Sequence, residues 1–390
     1  MRTPPKVSDI IRNVSSFCTY YNASLCRSCS WMEREYELQL ESKEKQILSQ
    51  LSFFQDLRLE PSQRSATQYF RNRAKMIVSG TATHPKIGIR DEEILSCPIH
   101  HPKLNQVFST LPSLLAEARI VPYHIADQTG DLKGLIAYYS PESDQMYLRF
   151  VMRSRAQLER IRGVALKLQK NFSYLRCISM NLQPIPHSIL EGREEVFITE
   201  RESIDHPIGI YALQLSPQAF VQTNFEVARA LYETAAGWIK ELAPLKLLEL
   251  YCGQGVFSFF ASAHAQEILG IEINQQAVAA ARESAKNLGY SHLNFKCLDA
   301  TQVSDEWTAF GPDCVLVNPP RKGLGEGVQL ILAQKPKFLL YSSCLSETLS
   351  ADLNLLKNDY SLKKVRLFDM FPHTEHFETL VLLERIRQKE

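Results

Sequence analysis

Cys344 is the residue of this sequence whose setting most strongly suggests chemistry. It follows a predicted strand over 338–342 and precedes a helix predicted to begin near Ser346. Because a helix N-terminus stabilises a thiolate, this setting predicts a cysteine with a lowered pKa that can act as a nucleophile. The candidate for a general base is Glu378, in His-Phe-Glu-Thr at 376–379. Taken singly, such a cysteine is more often a buried core thiol and such a glutamate a surface acid.

A second group of residues has the spacing of a nucleotide-binding site. A predicted strand over 245–251 runs into Cys-Gly-Gln-Gly at 252–255, where glycines let the backbone approach a ligand closely. The next strand ends in Glu272, which can accept hydrogen bonds from ribose hydroxyls, and Asp299 after the third strand is placed to contact an adenine amino group. The spacing also suits a nicotinamide dinucleotide enzyme, but Ser258 breaks the longer G-x-G-x-x-G pattern.

The glycine turn resembles motif I of class I S-adenosylmethionine methyltransferases, usually D/E-x-F/Y-x-G-x-G. The matching residues are Glu249, Tyr251, Gly253 and Gly255. Asn-Pro-Pro at 318–320 follows another predicted strand and would place a side-chain amide and a rigid backbone beside the cofactor. In amine methyltransferases an aromatic residue follows this motif, whereas here the next residue is Arg321.

Five segments taken together are similar to the RNA 5-methyluridine methyltransferase family. They are Phe-Val-Gln-Thr-Asn at 220–224, the motif I turn at 249–255, Asn-Pro-Pro-Arg at 318–321, Ser-Ser-Cys at 342–344 and Phe-Pro-His-Thr-Glu-His-Phe-Glu at 371–378. The resemblance covers nearly the whole chain, and it implies a role for six residues. The implied cofactor-binding residues are Gln222, Tyr251, Glu272 and Asn318, with Cys344 as the nucleophile and Glu378 as the base. Tyr251 stands where phenylalanine is commoner in the family.

The resemblance implies methylation of a uracil at C5, a carbon that is a poor nucleophile. Addition of the Cys344 thiolate to C6 makes C5 enolate-like, so that C5 can attack the sulfonium methyl of S-adenosylmethionine. Glu378 then removes the C5 proton, and the cysteine is eliminated. The target base must leave its stack to react in this way, so the expected substrate is a uracil in a loop or a single strand.

Four cysteines form a second candidate site. Cys18, Cys26 and Cys29 have the spacing C-x7-C-x2-C, and Cys97 is a distant fourth, which suits zinc or a [4Fe-4S] cluster. Structural zinc usually uses two C-x2-C pairs, and the bacterial branch of the resembling family carries a cluster on this pattern. We therefore expect a [4Fe-4S] cluster that links the N-terminus to the β-rich domain. The alternatives are a zinc ion or cysteines without a ligand. The remaining cysteines are interpreted as core residues: Cys177, Cys252, Cys297 and Cys314.

Two runs of basic residues could contact RNA. The first run is Arg149, Arg153, Arg155, Arg160, Arg162, Lys167 and Lys170, against the single acid Glu159. The second run contains Arg64 and Phe-Arg-Asn-Arg-Ala-Lys at 70–75, a segment that resembles the RNA-contacting part of the family. Each run could equally be a solvated face. Because the formal net charge is only +1, we expect a confined RNA-binding patch rather than a basic tail.

The periodicity of the sequence changes near residue 215. Before it, predicted strands are interrupted by a basic amphipathic helix over 157–171 and preceded by a helix over 31–50. After it, strands and helices alternate, which is typical of a doubly wound, mostly parallel sheet. The predicted fold class is α/β, with a C-terminal Rossmann-like methyltransferase domain and an N-terminal β-rich α+β domain. The expected divisions are 1–105 for the cysteine-cluster region, 106–214 for the central RNA-binding domain and 215–390 for the methyltransferase domain.

Composition and the N-terminus predict a cytoplasmic protein. The chain of 390 residues has no apolar run near the roughly 20 residues needed to span a bilayer, and residues 1–14 lack an apolar signal core. In a reducing compartment the nine cysteines are expected to be ligands, nucleophiles or core residues rather than a disulfide frame. We expect no membrane association and no obligate protein partner.

The length of the N-terminus indicates which branch of the family the chain resembles. Only 17 residues precede Cys18, so the small β-barrel RNA-binding domain with which several members begin is not expected here. This short form is similar to that of members acting on uracil 747 of 23S ribosomal RNA. Other members act on uracil 1939 of the same RNA or on the T-loop of transfer RNA, and the transfer-RNA branch usually lacks the cysteines.

Two functions of other classes stay open at this point. An amine methyltransferase acting on protein or DNA would use the Asn-Pro-Pro motif without needing Cys344 or Glu378. A non-enzymatic RNA-binding protein with a degenerate cofactor site would not bind S-adenosylmethionine tightly.

Overall fold

The computed structural model describes residues 16–55, 57–185 and 191–386. The helices are α1 (Thr19–Asn22), α2 (Tyr36–Gln50), α3 (Pro102–Glu117), α4 (Leu158–Asn171), α5 (Phe225–Leu242), α6 (Val256–Ala261), α7 (Gln275–Asn287), α8 (Ser304–Phe310), α9 (Gly327–Gln334) and α10 (Ser346–Leu356). The strands are β1 (Leu59–Gln63), β2 (Arg73–Gly80), β3 (Pro85–Ile89), β4 (Glu92–Glu93), β5 (Leu132–Ser140), β6 (Gln145–Met152), β7 (Leu175–Leu182), β8 (Glu194–Phe197), β9 (Ile204–Ile208), β10 (Tyr211–Leu215), β11 (Lys246–Leu250), β12 (Glu267–Glu272), β13 (Leu293–Cys297), β14 (Cys314–Val317), β15 (Phe338–Ser343), β16 (Tyr360–Phe368) and β17 (Glu378–Arg385).

The larger sheet has eight strands in the order β1-β16-β17-β15-β14-β11-β12-β13. The five strands from β15 to β13 run parallel to one another, and β17 is antiparallel to both of its neighbours. Helices α5, α6 and α7 cover one face, and α2, α8, α9 and α10 cover the other. Burial on both faces explains why an inner strand such as β14 is entirely apolar, whereas the edge strand β13 has exposed polar residues. The α/β fold class predicted from the sequence is confirmed.

The smaller sheet has seven strands in the order β4-β3-β2-β5-β6-β7-β8. All of its pairings are antiparallel except β6 with β7, which are joined by the crossover helix α4. Helices α3 and α4 pack on one face. The other face turns Tyr138, Tyr147 and Cys177 toward the β9–β10 hairpin, after which the chain enters α5. This second face therefore lies toward the larger sheet.

The chain that precedes the smaller sheet packs on the larger one. β1 pairs in parallel with β16 at the sheet edge, and Lys43 of α2 forms a fully buried ion pair with Asp369, at 2.6 Å. The Lys43 ammonium also donates to the Phe371 carbonyl at 3.1 Å, and the Gln39 side chain accepts from the His373 amide at 2.7 Å. These contacts hold the segment between β16 and β17. The division of the chain into 1–105, 106–214 and 215–390 stays a prediction. It did not anticipate that α2 and β1, which belong to its first part, pack on the larger sheet.

Helix α3 lies in a region that the sequence analysis interpreted as mostly β. Its buried residues have helical spacing: Leu104, Val107, Phe108, Leu111 and Leu115. It begins with Pro102 in its first turn, and the His101 side chain accepts from the Lys103 amide at 3.4 Å. These signals are present in the sequence and were missed. Among the described residues, no helix has both the length and the apolar character to cross a membrane.

Candidate active site

A cavity of about 1010 Å³ opens at the carboxyl ends of the parallel strands in the larger sheet. This is where open α/β sheets bind their ligands. All the residues predicted to bind cofactor or to act in catalysis line it: Gln222, Tyr251, Glu272, Asp299, Asn318, Cys344 and Glu378. Residues separated by more than 150 positions in the chain thus meet in one space.

The turn after β11 has the backbone conformation that the glycines predicted. Gly253 and Gly255 have φ of +55° and +79°, and a Cβ atom on Gly255 would lie 2.5 Å from Cε1 of Phe295. Tyr251, which is not glycine, also has a positive φ of 61°. Backbone strain of this kind is characteristic of ligand-binding turns. The conformation brings main-chain atoms of the turn to the cavity wall.

Two acids follow the neighbouring strands. Glu272 ends β12 and accepts from the Gly253 amide at 3.0 Å and from the Asn274 amide at 2.8 Å. Asp299 follows β13 and accepts from the Thr301 amide at 2.9 Å, and hydrogen bonds with Thr301 hold the pKa of Asp299 below its usual value. Both carboxylates are therefore fixed in place where hydroxyl and amino groups of a nucleoside could reach them, and the lowered pKa favours the ionised form of Asp299.

Glu249, matched to motif I but given no role in the sequence analysis, lies at the inner wall of the cavity. Burial raises its pKa to about 8, while hydrogen bonds from the Ser258 amide and hydroxyl oppose this shift. A buried carboxylate is stabilised by a nearby positive charge. The inner end of the cavity is thus suited to a cationic ligand.

Gln222 and Asn318 enter the cavity from loops on either side. The segment that carries Gln222 is held by Asn72, whose amide donates to the Thr223 carbonyl at 2.6 Å and whose side chain accepts from the Phe225 amide at 3.1 Å. Asn318 directly follows β14. Asn72 belongs to the 70–75 segment predicted to contact RNA, and its structural role is to fix the cofactor side of the site.

Cys344 lies between β15 and α10, as predicted, but the expected lowering of its pKa is wrong for this state of the protein. Burial raises the pKa of the Cys344 thiol, and the nearby Glu378 raises it further. The Arg321 guanidinium, which hydrogen-bonds the thiol, acts in the opposite direction. Burial thus outweighs the helix N-terminus, because the thiol is withdrawn from solvent in the cavity wall.

Glu378 is the first residue of β17 and is 1 % exposed. Burial raises the pKa of its carboxyl to about 7, and a hydrogen bond from the Ser342 hydroxyl, at 2.7 Å, opposes the shift. Its second oxygen, Oε2, has no hydrogen-bond partner among the described residues. A carboxyl with a pKa near neutrality and one free oxygen in a cavity can accept a proton from a ligand.

Arg321 is a site residue to which the sequence analysis gave no role. It lines the same cavity as Cys344 and hydrogen-bonds the thiol. The signal was available, since Asn-Pro-Pro-Arg was recognised as unlike the amine methyltransferase motif at this position. Ser342 was likewise quoted as part of a motif without the contact to Glu378, which depends on the pairing of β15 with β17.

The four cysteines Cys18, Cys26, Cys29 and Cys97 line a second cavity, of about 420 Å³. Burial and the neighbouring thiols raise the pKa of Cys29 to about 12, and burial raises that of Cys97 to about 11. In their present positions, no three metal-binding side chains of the described residues converge around a single ion. The four thiols therefore line the same cavity, but they are not arranged around a common position that a single metal ion could occupy.

The two cavities are neighbours with common walls. Arg73, Thr223, Arg321 and Phe371 line both of them. Phe371 belongs to the segment between β16 and β17 that leads to Glu378. A group in the cysteine cavity would thus contact residues that also face the active-site cavity.

The structure does not support an exposed basic patch along the first basic run. Arg149 is 1 % exposed and is paired with Glu191 and Glu195. Several others of that run have acidic partners on the surface: Arg153 with Asp131, Arg155 with Glu194, Arg162 with Glu159 and Lys167 with Glu117. In the second run, Arg64 pairs with Glu37 and Arg71 is half-buried near Cys29 and Cys97, while Arg73 and Lys75 line the cavities.

The fold is shared with a solved methyltransferase. The structure of Pyrococcus abyssi tRNA (uracil-54, C5)-methyltransferase in complex with S-adenosyl-L-homocysteine superposes with a TM-score of 0.77 and 24% sequence identity, covering 91% of this chain and 85% of that one. Together with the sheet order and the glycine turn, this likeness defines a Rossmann-like class I methyltransferase fold.

Sequence comparison defines the family. Residues 193–386 match the family model of tRNA (uracil-5-)-methyltransferases. The chain is 40% identical to the 23S rRNA (uracil(747)-C(5))-methyltransferase RlmC of Serratia proteamaculans, over 94% of this chain and 99% of that protein. The protein of the same name from Haemophilus influenzae is also 40% identical, over 94% and 98%. The chain belongs to the RNA uracil-C5 methyltransferase family.

Proposed function

We propose that this protein transfers a methyl group from S-adenosylmethionine to C5 of uracil 747 in 23S ribosomal RNA. The observation that carries the proposal is the joining of Cys344, Glu378 and the cofactor-binding turn in one cavity. The near full-length similarity to two proteins named for uracil 747 supports the choice of nucleotide. Because the substrate is ribosomal RNA, we expect the protein to act in the cytoplasm on a uracil in a loop or a single strand.

S-adenosylmethionine would be held by residues at the ends of β11, β12 and β13 that line the cavity, and when bound it would supply the methyl group. Glu272 accepts hydrogen bonds from the ribose hydroxyls and Asp299 from the adenine amino group, while Tyr251 packs against the nucleoside. Gln222 and Asn318 bind the cofactor from opposite sides of the cavity. Glu249 at the inner wall faces the cationic end of the cofactor, whose charge favours the ionised carboxylate.

The uracil enters between Cys344 and Glu378. The thiol loses its proton to solvent, Arg321 stabilises the thiolate, and the sulfur adds to C6 so that C5 becomes nucleophilic. C5 attacks the sulfonium methyl and releases S-adenosylhomocysteine. Glu378 takes the C5 proton on its free Oε2, the C6–sulfur bond breaks, and methylated RNA leaves.

We also propose that Cys18, Cys26, Cys29 and Cys97 hold a [4Fe-4S] cluster. The four thiols line one cavity, and four cysteine thiolates are the usual ligand set of a [4Fe-4S] cluster. The buried Cys29 and Cys97 thiols also need positive charge to ionise. When bound, the cluster would link the N-terminal segment to the smaller sheet, and the proposed methyl transfer does not require electron transfer from it.

Methyl transfer from labelled S-adenosylmethionine to defined transcripts tests the nucleotide assignment. We expect label in a 23S RNA fragment that contains uracil 747, and none in the matched fragment with cytosine at that position. Fragments around uracil 1939 and a transfer RNA with its T-loop serve as competing substrates. Label in either of these but not in the first fragment would refute the assignment, and label in protein or DNA would favour an amine methyltransferase.

A further inference from the structure

Two basic side chains of β2 hold an acid beside the active-site cavity. Arg73 and Lys75 point to the same face of the smaller sheet, since they are two positions apart on one strand. The Glu191 carboxylate lies between them, with its Oε1 at 2.5 Å from the Lys75 ammonium and at 3.5 Å from the Arg73 guanidinium. Its Oε2 accepts from Arg149. An anion with two oxygens thus bridges basic groups from two strands.

Arg149 does not require Glu191 for charge compensation. Its Nε and Nη2 donate to Glu195, at 3.0 and 2.5 Å, and Glu195 is also bound by the Asn181 amide at 2.8 Å. Within the part of the chain that the structure describes, Arg73 and Lys75 have no such second acid, and the Arg73 Nε has no hydrogen-bond partner. Without the Glu191 carboxylate, these two side chains would be an uncompensated basic pair with an unused donor.

The pair lies where the two cavities meet. Arg73 lines both cavities, and Lys75 lines the cysteine cavity with its side chain 45% exposed. Glu191 is partly exposed, at 27%, whereas Glu195 is 2% exposed. A ligand that reaches the active-site cavity can therefore reach Arg73, and the partly exposed Lys75 and Glu191 adjoin Arg73, whereas the Arg149–Glu195 pair is buried.

The main chain beside Glu191 is anchored. The Gly192 amide donates to the Asn181 side chain at 2.7 Å, the Asn181 side chain donates back to the Gly192 carbonyl at 3.0 Å, and Gln183 donates to the Glu191 carbonyl at 3.2 Å. The carboxylate can therefore leave the basic pair by rotation of its side chain, without movement of the backbone.

We propose that Arg73 and Lys75 form a subsite for one backbone phosphate of the RNA, and that the Glu191 carboxylate fills this subsite until RNA binds. A phosphodiester carries the same charge as the carboxylate and also presents two acceptor oxygens, and Arg and Lys are the usual partners of phosphate. The inference rests on the proposed function, because the bound RNA must bring a phosphate next to the flipped uridine. Glu191 then lowers the affinity for any RNA that cannot place a phosphate there.

Substitution of Glu191 by glutamine tests the subsite. RNA affinity would be measured at several salt concentrations with the 23S fragment that contains uracil 747, and cofactor affinity would report correct folding. Glu191→Gln should bind this RNA about three- to tenfold more tightly, because the competing anion is gone. The log–log slope of affinity against salt should be the same in both proteins, because the same phosphate contact forms once the carboxylate has left, whereas loss of that contact through Lys75→Gln should flatten the slope by about 0.7 to 0.9.

Glu194→Gln is the matched control, because it removes the same charge three residues away, from an exposed side chain that pairs with the exposed Arg155. It should leave both RNA affinity and salt dependence unchanged. Adding Lys75→Gln to Glu191→Gln should abolish most of the gain in affinity. Equal effects of the two glutamate variants, or weaker RNA binding by Glu191→Gln with normal cofactor affinity, would overturn the proposal. Failure of the unsubstituted protein to bind or methylate the RNA would instead refute the proposed function.

Discussion

Cys344 and Glu378 influence each other's ionisation, and this coupling decides how the reaction depends on pH. The carboxylate raises the pKa of the thiol, so the two groups resist being ionised together in the free protein. The reaction nevertheless requires a thiolate for the addition and a carboxylate for proton removal. Arg321 favours both groups being ionised by lowering the pKa of the Cys344 thiol, and Ser342 does so by lowering the pKa of the Glu378 carboxyl.

Activity should therefore rise as pH increases through about 7, because Glu378 accepts the C5 proton only when ionised and its pKa is about 7. Ser342→Ala removes a hydrogen bond that lowers this pKa, so the rising limb should move to higher pH. The check is the pH profile of the release of methylated RNA from the covalent adduct, the step that requires the base, for both proteins. A profile that is flat between pH 6 and 8, or a shift to lower pH in the variant, would contradict the assignment of the base.

Glu378→Gln should trap the reaction after methyl transfer, because the C5 proton has no acceptor. We expect turnover to fall by about 10²- to 10⁴-fold, the usual contribution of a general base. RNA with ordinary uridine should then remain attached to the protein in a denaturing gel. Glu375→Gln is the control, since Glu375 is an exposed acid of the same segment whose contact is with Ser30. Normal turnover by Glu378→Gln would exclude its role.

At the scale of elements, the turn between β11 and α6 positions the cofactor through its backbone. Gly255→Ala combines a left-handed backbone with a clash against Phe295, and should destabilise the protein by about 3 kcal/mol and weaken S-adenosylmethionine binding. Gly289→Ala has a similar φ, of +75°, but open space around its Cβ, so it should cost about 1 kcal/mol. Denaturant unfolding and calorimetric titration measure both effects. Equal losses would show that the Phe295 contact is unimportant.

A feature of the site could be predicted from the sequence when the residues that form it are close together in the chain. The turn at 249–255 and the position of the cysteine before α10 could be predicted from the sequence, because each lies within a single strand–turn–helix unit of neighbouring residues. The hydrogen bond from Ser342 to Glu378 and the ion pair of Arg149 with Glu195 join strands that only the folded sheets bring together. The pKa of Cys344 was predicted in the wrong direction because burial, which no local pattern reveals, exceeds the effect of the helix N-terminus.

At the scale of the whole molecule, the N-terminal helix α2 stabilises the active site from outside it. The buried pair of Lys43 with Asp369 ties α2 to the segment that carries Phe371 and leads to Glu378. The sequence analysis predicted the helix but not its partner, since the two residues are 326 positions apart. The same segment borders the cysteine cavity, so N-terminal packing, cysteine site and catalytic base depend on one stretch of chain.

Lys43→Ala should destabilise the protein by about 3 to 5 kcal/mol, because it leaves the Asp369 carboxylate buried without a counter-charge. Lys45→Ala on the same helix removes only the exposed pair with Glu41 and should cost about 0.5 kcal/mol or less. Denaturant unfolding of the two variants provides the comparison. Equal losses of stability would contradict the structural role of the buried pair.

The central claim, covalent catalysis by Cys344 on a uracil of ribosomal RNA, is tested most directly with a hairpin carrying 5-fluorouridine at position 747. Fluorine at C5 cannot leave as a cation, so the reaction should stop as a methylated RNA covalently attached to Cys344. A denaturing gel should show this adduct for the unsubstituted protein and for Cys297→Ala, a change at an exposed cysteine, but not for Cys344→Ala. An adduct that persists in Cys344→Ala, or its absence from protein that methylates the uridine hairpin, would contradict the mechanism.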